Sequence, residues 1–152
     1  MSRPFSLEDF VRESNRIEGI HRDPSRREMD ATAAFLSLPD ITQQNLTMLV
    51  SVYAPGHVVR IKPNLNVRVG NHIAPRGGPE ILNALNDVLA IRQPYEQHVA
   101  YEVLHPFTDG NGRSGRALWL WRMGGIDYAP LGFLHHFYYQ TLDHVGRQER
   151  ET

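Results

Sequence analysis

Helix start and stop signals recur along this chain of 152 residues, and no alternation of strands with helices accompanies them. Ser25 and Glu28 form a capping-box pair ahead of an apolar run, and Ser6 and Thr42 are placed to cap two further helices. Proline and glycine bound the helical segments in the rest of the chain, as far as a last predicted helix at residues 131–145. This pattern predicts an α-rich fold with six or seven helices and argues against a parallel sheet.

One segment departs from the helical periodicity. Residues 58–69, VVRIKPNLNVRV, contain two short runs rich in β-branched residues on either side of Pro63 and Asn64. Such runs around a turn predict a small hairpin, and the glycine- and proline-rich residues after it predict a loop. The expected fold class is therefore all-α, mainly helical, with one small β-hairpin.

The charge balance and the absence of cysteine exclude several classes of function. The 16 basic and 17 acidic residues give a net charge of −1, which provides no basic footprint for nucleic acid or for an anionic membrane. Without cysteine, disulfides and thiolate metal sites are excluded. No apolar run is long enough to span a bilayer, and the first residues lack a signal-peptide core. We therefore expect a single domain, residues 1–152, in the cytoplasm.

The segment Asp109–Arg116, DGNGRSGR, contains the spacing G-x-G-x-x-G at Gly110, Gly112 and Gly115. A dinucleotide-binding loop needs a buried strand before the first glycine, but the residues there are spaced as in a helix. A kinase glycine loop continues to a valine where this chain has Ala117, and a Walker loop needs Gly-Lys-Ser/Thr. The glycine spacing alone leaves only a turn at the start of a helix.

The neighbours of these glycines favour phosphate chemistry. His105 can act as a base near neutral pH, and the carboxylate of Asp109 suits Mg²⁺, which prefers oxygen ligands and substrate phosphates. The free N–H groups at a helix N-terminus bind anions. Arg113 and Arg116, three positions apart, can each grip phosphate oxygens with paired hydrogen bonds.

The full stretch His105–Arg116, HPFTDGNGRSGR, matches H-P-F-x-D/E-G-N-G-R-x-x-R at every fixed position. This pattern resembles the signature of Fic-domain proteins, and about residues 40–145 resemble the core of that family more loosely. The resemblance implies a mainly α-helical Fic fold with a hairpin flap, here about residues 58–74, that clamps a target protein. It also implies transfer of AMP from ATP to a serine, threonine or tyrosine hydroxyl of that target, with release of pyrophosphate.

Residue roles follow from the same resemblance. His105 would be the general base that deprotonates the target hydroxyl, and Asp109 would coordinate Mg²⁺ between the α- and β-phosphates of ATP. Arg113 would bind the β-phosphate side, and Arg116 would bind the γ-phosphate. The anion nest for the phosphates would be formed by Gly110, Asn111 and Gly112, with Asn111 also touching the α-phosphate.

The residue at position 112 bears on the type of reaction. The Doc branch of the family has lysine there, holds the nucleotide reversed and phosphorylates its target, so Gly112 favours AMP transfer. Transfer of UMP or phosphocholine stays open, as does a nucleotide-binding, toxin-type regulatory module without efficient transfer. The sequence also leaves open whether the chain forms a homo-oligomer.

A second, shorter motif lies near the N-terminus. Ser14-Asn-Arg-Ile-Glu18-Gly19 fits S/T-x-x-x-E-G/N, which resembles the inhibitory-helix signature of many Fic proteins. Residues 1–20 would then contain an inhibitory helix whose Glu18 pairs with Arg116 and blocks the seat of the γ-phosphate. In some relatives the same glutamate supports removal of AMP from the modified target. The alternative is a solvated helix face that ends at a glycine cap.

Overall fold

A computed structural model describes residues 4–132 of the protein. Over this range the chain forms seven α-helices, one 3₁₀ turn at Ile126–Tyr128 and one sheet of two strands. The helices are α1 (Leu7–Ile17), α2 (Arg26–Leu36), α3 (Gln43–Tyr53), α4 (Glu80–Ala90), α5 (Pro94–Leu104), α6 (Asn111–Met123) and α7 (Ala129–Gly132). The strands, β1 (Arg68–Val69) and β2 (His72–Ile73), pair antiparallel.

The predicted α-rich class with one small hairpin is confirmed. The last predicted helix, residues 131–145, lies almost wholly outside the described residues. Within the described range, the helices are too short and too polar for any of them to cross a bilayer.

The first three helices begin at the predicted caps. The hydroxyls of Ser6, Ser25 and Thr42 each accept a hydrogen bond of 3.1–3.2 Å from the backbone N–H three residues on. The side chain at that third position accepts in return from the N–H of the cap; these residues are Asp9, Glu28 and Asn45. A cap of this kind stabilises a helix by about 1 kcal/mol, so local sequence sets where these helices start.

Helix α6 is central to the packing. Its residues 117–120 are at most 1 % exposed, as expected for a helix segment that is buried on every side. They pack in a larger apolar cluster with residues of α3, α4 and α5, and in a smaller cluster with Phe10 and Val11 of α1. The packing therefore fixes α1 and α5 against the same helix.

The predicted position of the hairpin is wrong. The hairpin consists of β1 and β2, and it turns at Gly70-Asn71 rather than at Pro63-Asn64. Gly70 has φ 58°, a left-handed conformation that glycine adopts without a steric cost and that tight hairpin turns require.

The first half of the predicted hairpin, residues 58–61, pairs elsewhere. Val59 forms a β-bridge with Phe107, and the N–H of Arg60 donates to the carbonyl of Pro106 at 2.9 Å. Because these partners are distant in sequence, the β-branched pattern identified extended chain but not the segment with which it pairs.

Candidate active site

The loop between α5 and α6 begins at a strained residue. His105 has φ 50° and ψ 63°, and among residues 4–132 it is the one non-glycine residue with positive φ. This conformation costs a non-glycine residue about 1–2 kcal/mol. Two hydrogen bonds hold it: the His105 N–H donates to the Tyr101 carbonyl at 2.9 Å, and the His105 carbonyl accepts from Nε of Arg60 at 2.6 Å. The backbone therefore turns sharply at the histidine of the motif.

Asn111 closes this loop onto the core. Its Oδ1 accepts from the N–H of Phe107 and its Nδ2 donates to the Phe107 carbonyl, both at 2.8 Å. Phe107 is fully buried in the larger apolar cluster. The Asn111 side chain therefore holds the loop in shape and is engaged by protein groups on both of its polar atoms.

The start of α6 has the features of an anion site. Gly110 precedes the helix with φ 82°, and no side chain of the described residues caps the first turn. A Cβ at Gly110 would stand 3.2 Å from Cγ1 of Val50 and 3.3 Å from Cβ of Ala54, so the conformation and the space both favour glycine. An uncapped N-terminus presents free N–H groups and the positive end of the helix dipole.

Arg116 reaches from α6 to α1. Its Nε donates to the hydroxyl of Ser14 at 2.7 Å, and its Nη2 donates to the Ser14 carbonyl at 3.0 Å. The same Nη2 donates to Oε1 of Glu18 at 2.7 Å. Arg116 is 2 % exposed and Glu18 37 %, so this pair is less screened by water than a surface salt bridge. The structure thus brings Ser14 and Glu18 onto one arginine of the motif.

Glu18 covers the first turn of α6. A Cβ at Gly112 would overlap Oε1 of Glu18 and stand 3.1 Å from Nη1 of Arg116. Glu18 is the C-cap residue of α1, and Gly19 with φ 78° lets the chain turn away after it. The carboxylate therefore lies where an anion would meet both the helix N-terminus and the arginine.

Arg113 is buried but only weakly paired. Its Nη1 lies 3.4 Å from Oδ1 of Asn15, and its guanidinium stands 5.5 Å from the ring centre of Tyr53. Its Nε has no hydrogen-bond partner within the described range. Burial lowers the pKa of Arg113, and the nearby carboxylate of Glu18 opposes this effect. A buried guanidinium with an unused donor gains hydrogen bonds when an anion arrives.

A cleft of about 480 Å³ joins the motif loop, Glu18 and the hairpin. Residues 67–70 form one wall, and the lining also includes Glu102, His105 and Asp109. The remaining lining residues are Thr108, Asn111 and Gly112. The two arginines of the motif are not among them, and both are buried.

A protein-family model described as the Fic/DOC family matches residues 12–122, from α1 into α6. The chain belongs to the Fic/DOC family. The match spans Glu18 and the whole motif His105–Arg116. No curated protein and no solved structure matches the chain at a significant level. Members of this family generally transfer nucleotidyl or phosphate groups to proteins, and the observed architecture agrees with the mainly α-helical Fic fold.

In this Fic-family site the imidazole of His105 is neutral at neutral pH. Burial lowers the pKa of His105 to about 4. The contact of its Nδ1 with the Glu102 carbonyl, 3.4 Å away, opposes the shift, and the positive charge of Arg60 adds to it. A neutral imidazole can accept a proton, which is what a general base requires.

Asp109 stands at the rim of the cleft. Its Oδ1 accepts from the N–H of Gly110 at 2.7 Å, and its Oδ2 lies 3.9 Å from Nε2 of His57. The side chain is 63 % exposed, so a carboxylate oxygen is accessible to a cation. Residues 4–132 contain no cluster of three or more histidine or acidic side chains that could hold a metal alone. One carboxylate with substrate phosphates and water is a common ligand set for Mg²⁺, so Asp109 fits an ion that arrives with a nucleotide.

The sequence did not point to Glu102 as part of the Fic-family site. Glu102 is 5 % exposed, and burial raises its pKa to about 7, while the charge of Arg116 lowers it and that of Glu18 raises it. The available signal was its position on α5 between Tyr101 and Leu104, which are both buried. A carboxyl group that changes charge near neutral pH therefore lines the cleft.

Arg60 was also missed. It is fully buried, and burial lowers its pKa. Its guanidinium donates to four backbone carbonyls at 2.6–3.0 Å, those of Leu65, Pro75, Leu104 and His105. Because any residue offers a carbonyl, no sequence pattern marks these partners. Arg60 ties the end of α5 to the chain on both sides of the hairpin.

Proposed function

We propose that this protein is an adenylyltransferase that transfers AMP from ATP to a hydroxyl of a target protein, and that α1 holds it inactive. The observation that carries the proposal is the ion pair between Arg116 and Glu18, 2.7 Å long, near the N-terminal end of α6. An arginine that binds a terminal phosphate has to exchange its carboxylate partner for that phosphate. While Glu18 is paired with Arg116, the γ-phosphate of ATP cannot bind this arginine, and transfer is slow.

The chemistry assigned to His105 is activation of the target hydroxyl. The neutral imidazole takes the hydroxyl proton, and the oxygen attacks the α-phosphorus of ATP. The bond from the α-phosphorus to the bridging oxygen breaks, so pyrophosphate leaves. Mg²⁺ held by Asp109 would supply charge compensation at the phosphates.

The rest of the site acts by positioning and by charge. The uncapped N–H groups of α6 can bind phosphate oxygens, and the buried Nε of Arg113 is an unused donor that has to be uncovered before it can join them. Once Glu18 leaves, Arg116 becomes available as well. The protein would thus catalyse transfer by supplying one base and a fixed set of hydrogen-bond donors to the phosphates.

Gly112 supports AMP transfer over phosphate transfer. A side chain at this position would meet the side-chain ends of Glu18 and Arg116, so a lysine there would have to displace the Glu18 carboxylate from the position it has in the folded site. A lysine would also place a second cation beside Arg116. The nucleotide orientation that goes with glycine presents the α-phosphorus to the base.

The target segment is assigned to the flap, residues 58–74. Residues 67–70 form a wall of the cleft that contains His105. The described sheet has only the strands β1 and β2, so each strand keeps an outer edge to which an extended peptide can add.

The position of the label in ATP tests this proposal. The Glu18→Gly variant is incubated with a cell extract and with ATP labelled on either the α- or the γ-phosphate. Proteins of the extract are expected to become labelled from α-labelled ATP and not from γ-labelled ATP. Adding His105→Ala to the Glu18→Gly variant is expected to abolish this labelling. Transfer of the γ-label alone would favour a kinase. Failure to transfer either label, even to the enzyme itself, would contradict a transferase function.

A further inference from the structure

Acidic residues are missing from the part of the chain that builds the flap. Between Asp40 and Glu80 the sequence has no aspartate or glutamate, although the whole chain has 17 acidic residues. This acid-free segment, residues 41–79, contains four cations: Arg60, Lys62, Arg68 and Arg76. The first of them is buried against backbone carbonyls, and the other three are exposed.

The three exposed cations have no carboxylate partner among the described residues. Four arginines in α1, α2 and the segment between these helices each lie within 3.8 Å of a carboxylate; they are Arg12, Arg16, Arg22 and Arg26. A basic surface that the protein does not neutralise itself attracts and orients an acidic partner. The acid-free segment is therefore electrostatically open to a ligand.

One of these cations stands beside the proposed chemistry. Arg68 belongs to β1 and lines the same cleft as His105 and Asp109. Hydrogen bonds hold the two ends of the hairpin together. Arg60 donates to the carbonyl of Leu65, before β1, and to that of Pro75, after β2, at 2.7–3.0 Å. The Asn66 side chain, before β1, also accepts a hydrogen bond of 2.9 Å from the backbone N–H of Gly77, after β2.

We propose that the flap selects target segments in which aspartate or glutamate flanks the modified hydroxyl, with Arg68 as the residue that recognises the acid. The inference rests on the proposed transferase function, since it concerns the protein whose hydroxyl is brought to His105. Residues two apart on an extended peptide share a face and are about 7 Å apart, so an acid near the hydroxyl can reach Arg68. The ATP phosphates are assigned to the arginines of α6 and leave Arg68 unoccupied.

Peptides of matched sequence test the inference. Three fluorescent peptides share a central serine that is flanked by glutamate, alanine or lysine. Their binding to the Glu18→Gly protein is measured by fluorescence anisotropy with a saturating non-hydrolysable ATP analogue, so that the phosphate site is filled. Transfer of α-label from ATP to each peptide is measured in parallel. Arg68→Glu reverses the proposed recognition charge, and Arg26→Glu makes the same change in net charge at an exposed position of α2.

The acidic peptide is expected to bind more tightly than the neutral one by on the order of 2–5-fold, as for exposed ion pairs, and less so at high salt. Arg68→Glu is expected to reverse the order of the acidic and basic peptides, and Arg26→Glu to leave it unchanged. Equal binding of the three peptides, or an order that Arg68→Glu does not alter, would overturn the inference. Label transfer without acid preference would leave the transferase function standing. Acid-selective binding, combined with no label transfer either to the peptides or in the cell-extract assay, would refute the transferase function while the acid preference of the flap still stands.

Discussion

At the scale of single residues, Glu102 is a carboxyl group whose ionisation the fold opposes. Burial raises its pKa from 4.5 to about 7. Because the folded state holds this proton more tightly than the unfolded state, stability is expected to fall as the pH rises from about 4.5 to 7. Above pH 7 the carboxyl is charged, and its burial continues to lower the free energy of unfolding.

Glu102→Gln removes this cost. We expect the variant to unfold at a higher temperature than the wild type at pH 8, and the difference to shrink at pH 5, where the wild-type carboxyl is protonated. Thermal unfolding at the two pH values measures it. Glu96→Gln, at an exposed position on the same helix, serves as the matched control. A Glu102→Gln variant less stable than wild type at pH 8 would mean that the carboxylate is compensated by contacts.

His105 gives a second prediction at this scale. Since burial lowers its pKa to about 4, the imidazole, which we propose as the general base, stays neutral through the weakly acidic range. We expect kcat/KM of the Glu18→Gly variant for AMP transfer to fall on the acid side only near pH 4, rather than near the ordinary histidine value of about 6.5. A pH–rate profile checks this. Half-maximal activity near pH 6.5 would show that the imidazole is more solvated than the structure indicates.

At the scale of elements, Arg60 connects the hairpin with the end of α5. Removing it would leave four carbonyls without their donor, and each unsatisfied buried group costs about 1–3 kcal/mol. Arg60→Lys keeps the charge but cannot reproduce the fork of donors. We therefore expect Arg60→Lys to lower kcat for transfer more than it lowers ATP affinity, because the conformation of His105 loosens while the proposed phosphate donors on α6 stay in place.

Steady-state kinetics and calorimetric ATP binding, both in the Glu18→Gly background, separate the two effects. Arg76→Lys, at an exposed position just beyond the hairpin, is the control for an arginine that makes no such bonds. An Arg60→Lys variant with unchanged kcat would show that His105 keeps its left-handed conformation without the guanidinium.

Helix α1 is held to α6 by apolar packing as well as by charge. Phe10 and Val11 are at most 1 % exposed and pack in one cluster with Trp119 and Leu120. A substitution at Glu18, beyond the last residue of the helix, therefore removes the carboxylate from the proposed phosphate site without removing the apolar contacts that anchor the helix. A point variant is thus a cleaner probe of the block than truncation of α1.

At the scale of the whole molecule, the sequence predicted those features that depend on a few consecutive residues. The caps at Ser6, Ser25 and Thr42 and the motif beginning at His105 are contiguous patterns, and each could be identified without knowledge of the fold. The pairing of residues 58–61 could not, since its partners belong to the distant motif loop.

The sequence did not reveal Arg60 and Glu102 for the same reason, since the groups around them are brought together only by the fold. Arg60 binds carbonyls 44 and 45 positions away, and a carbonyl carries no residue identity. Glu102 differs from a surface glutamate only in what packs over it. The ion pair between Glu18 and Arg116, 98 positions apart, was expected because the segments around both residues resemble motifs of one family.

The rate of AMP transfer by Glu18→Gly relative to wild type shows directly whether Glu18 holds the enzyme inactive. A charge-assisted hydrogen bond contributes about 1.5–3 kcal/mol, so we predict an increase of at least about tenfold in initial rate with α-labelled ATP. Glu18→Gln, which keeps the shape and loses the charge, is expected to give a smaller increase. Equal rates for Glu18→Gly and wild type, with both proteins folded and both binding ATP, would contradict the account.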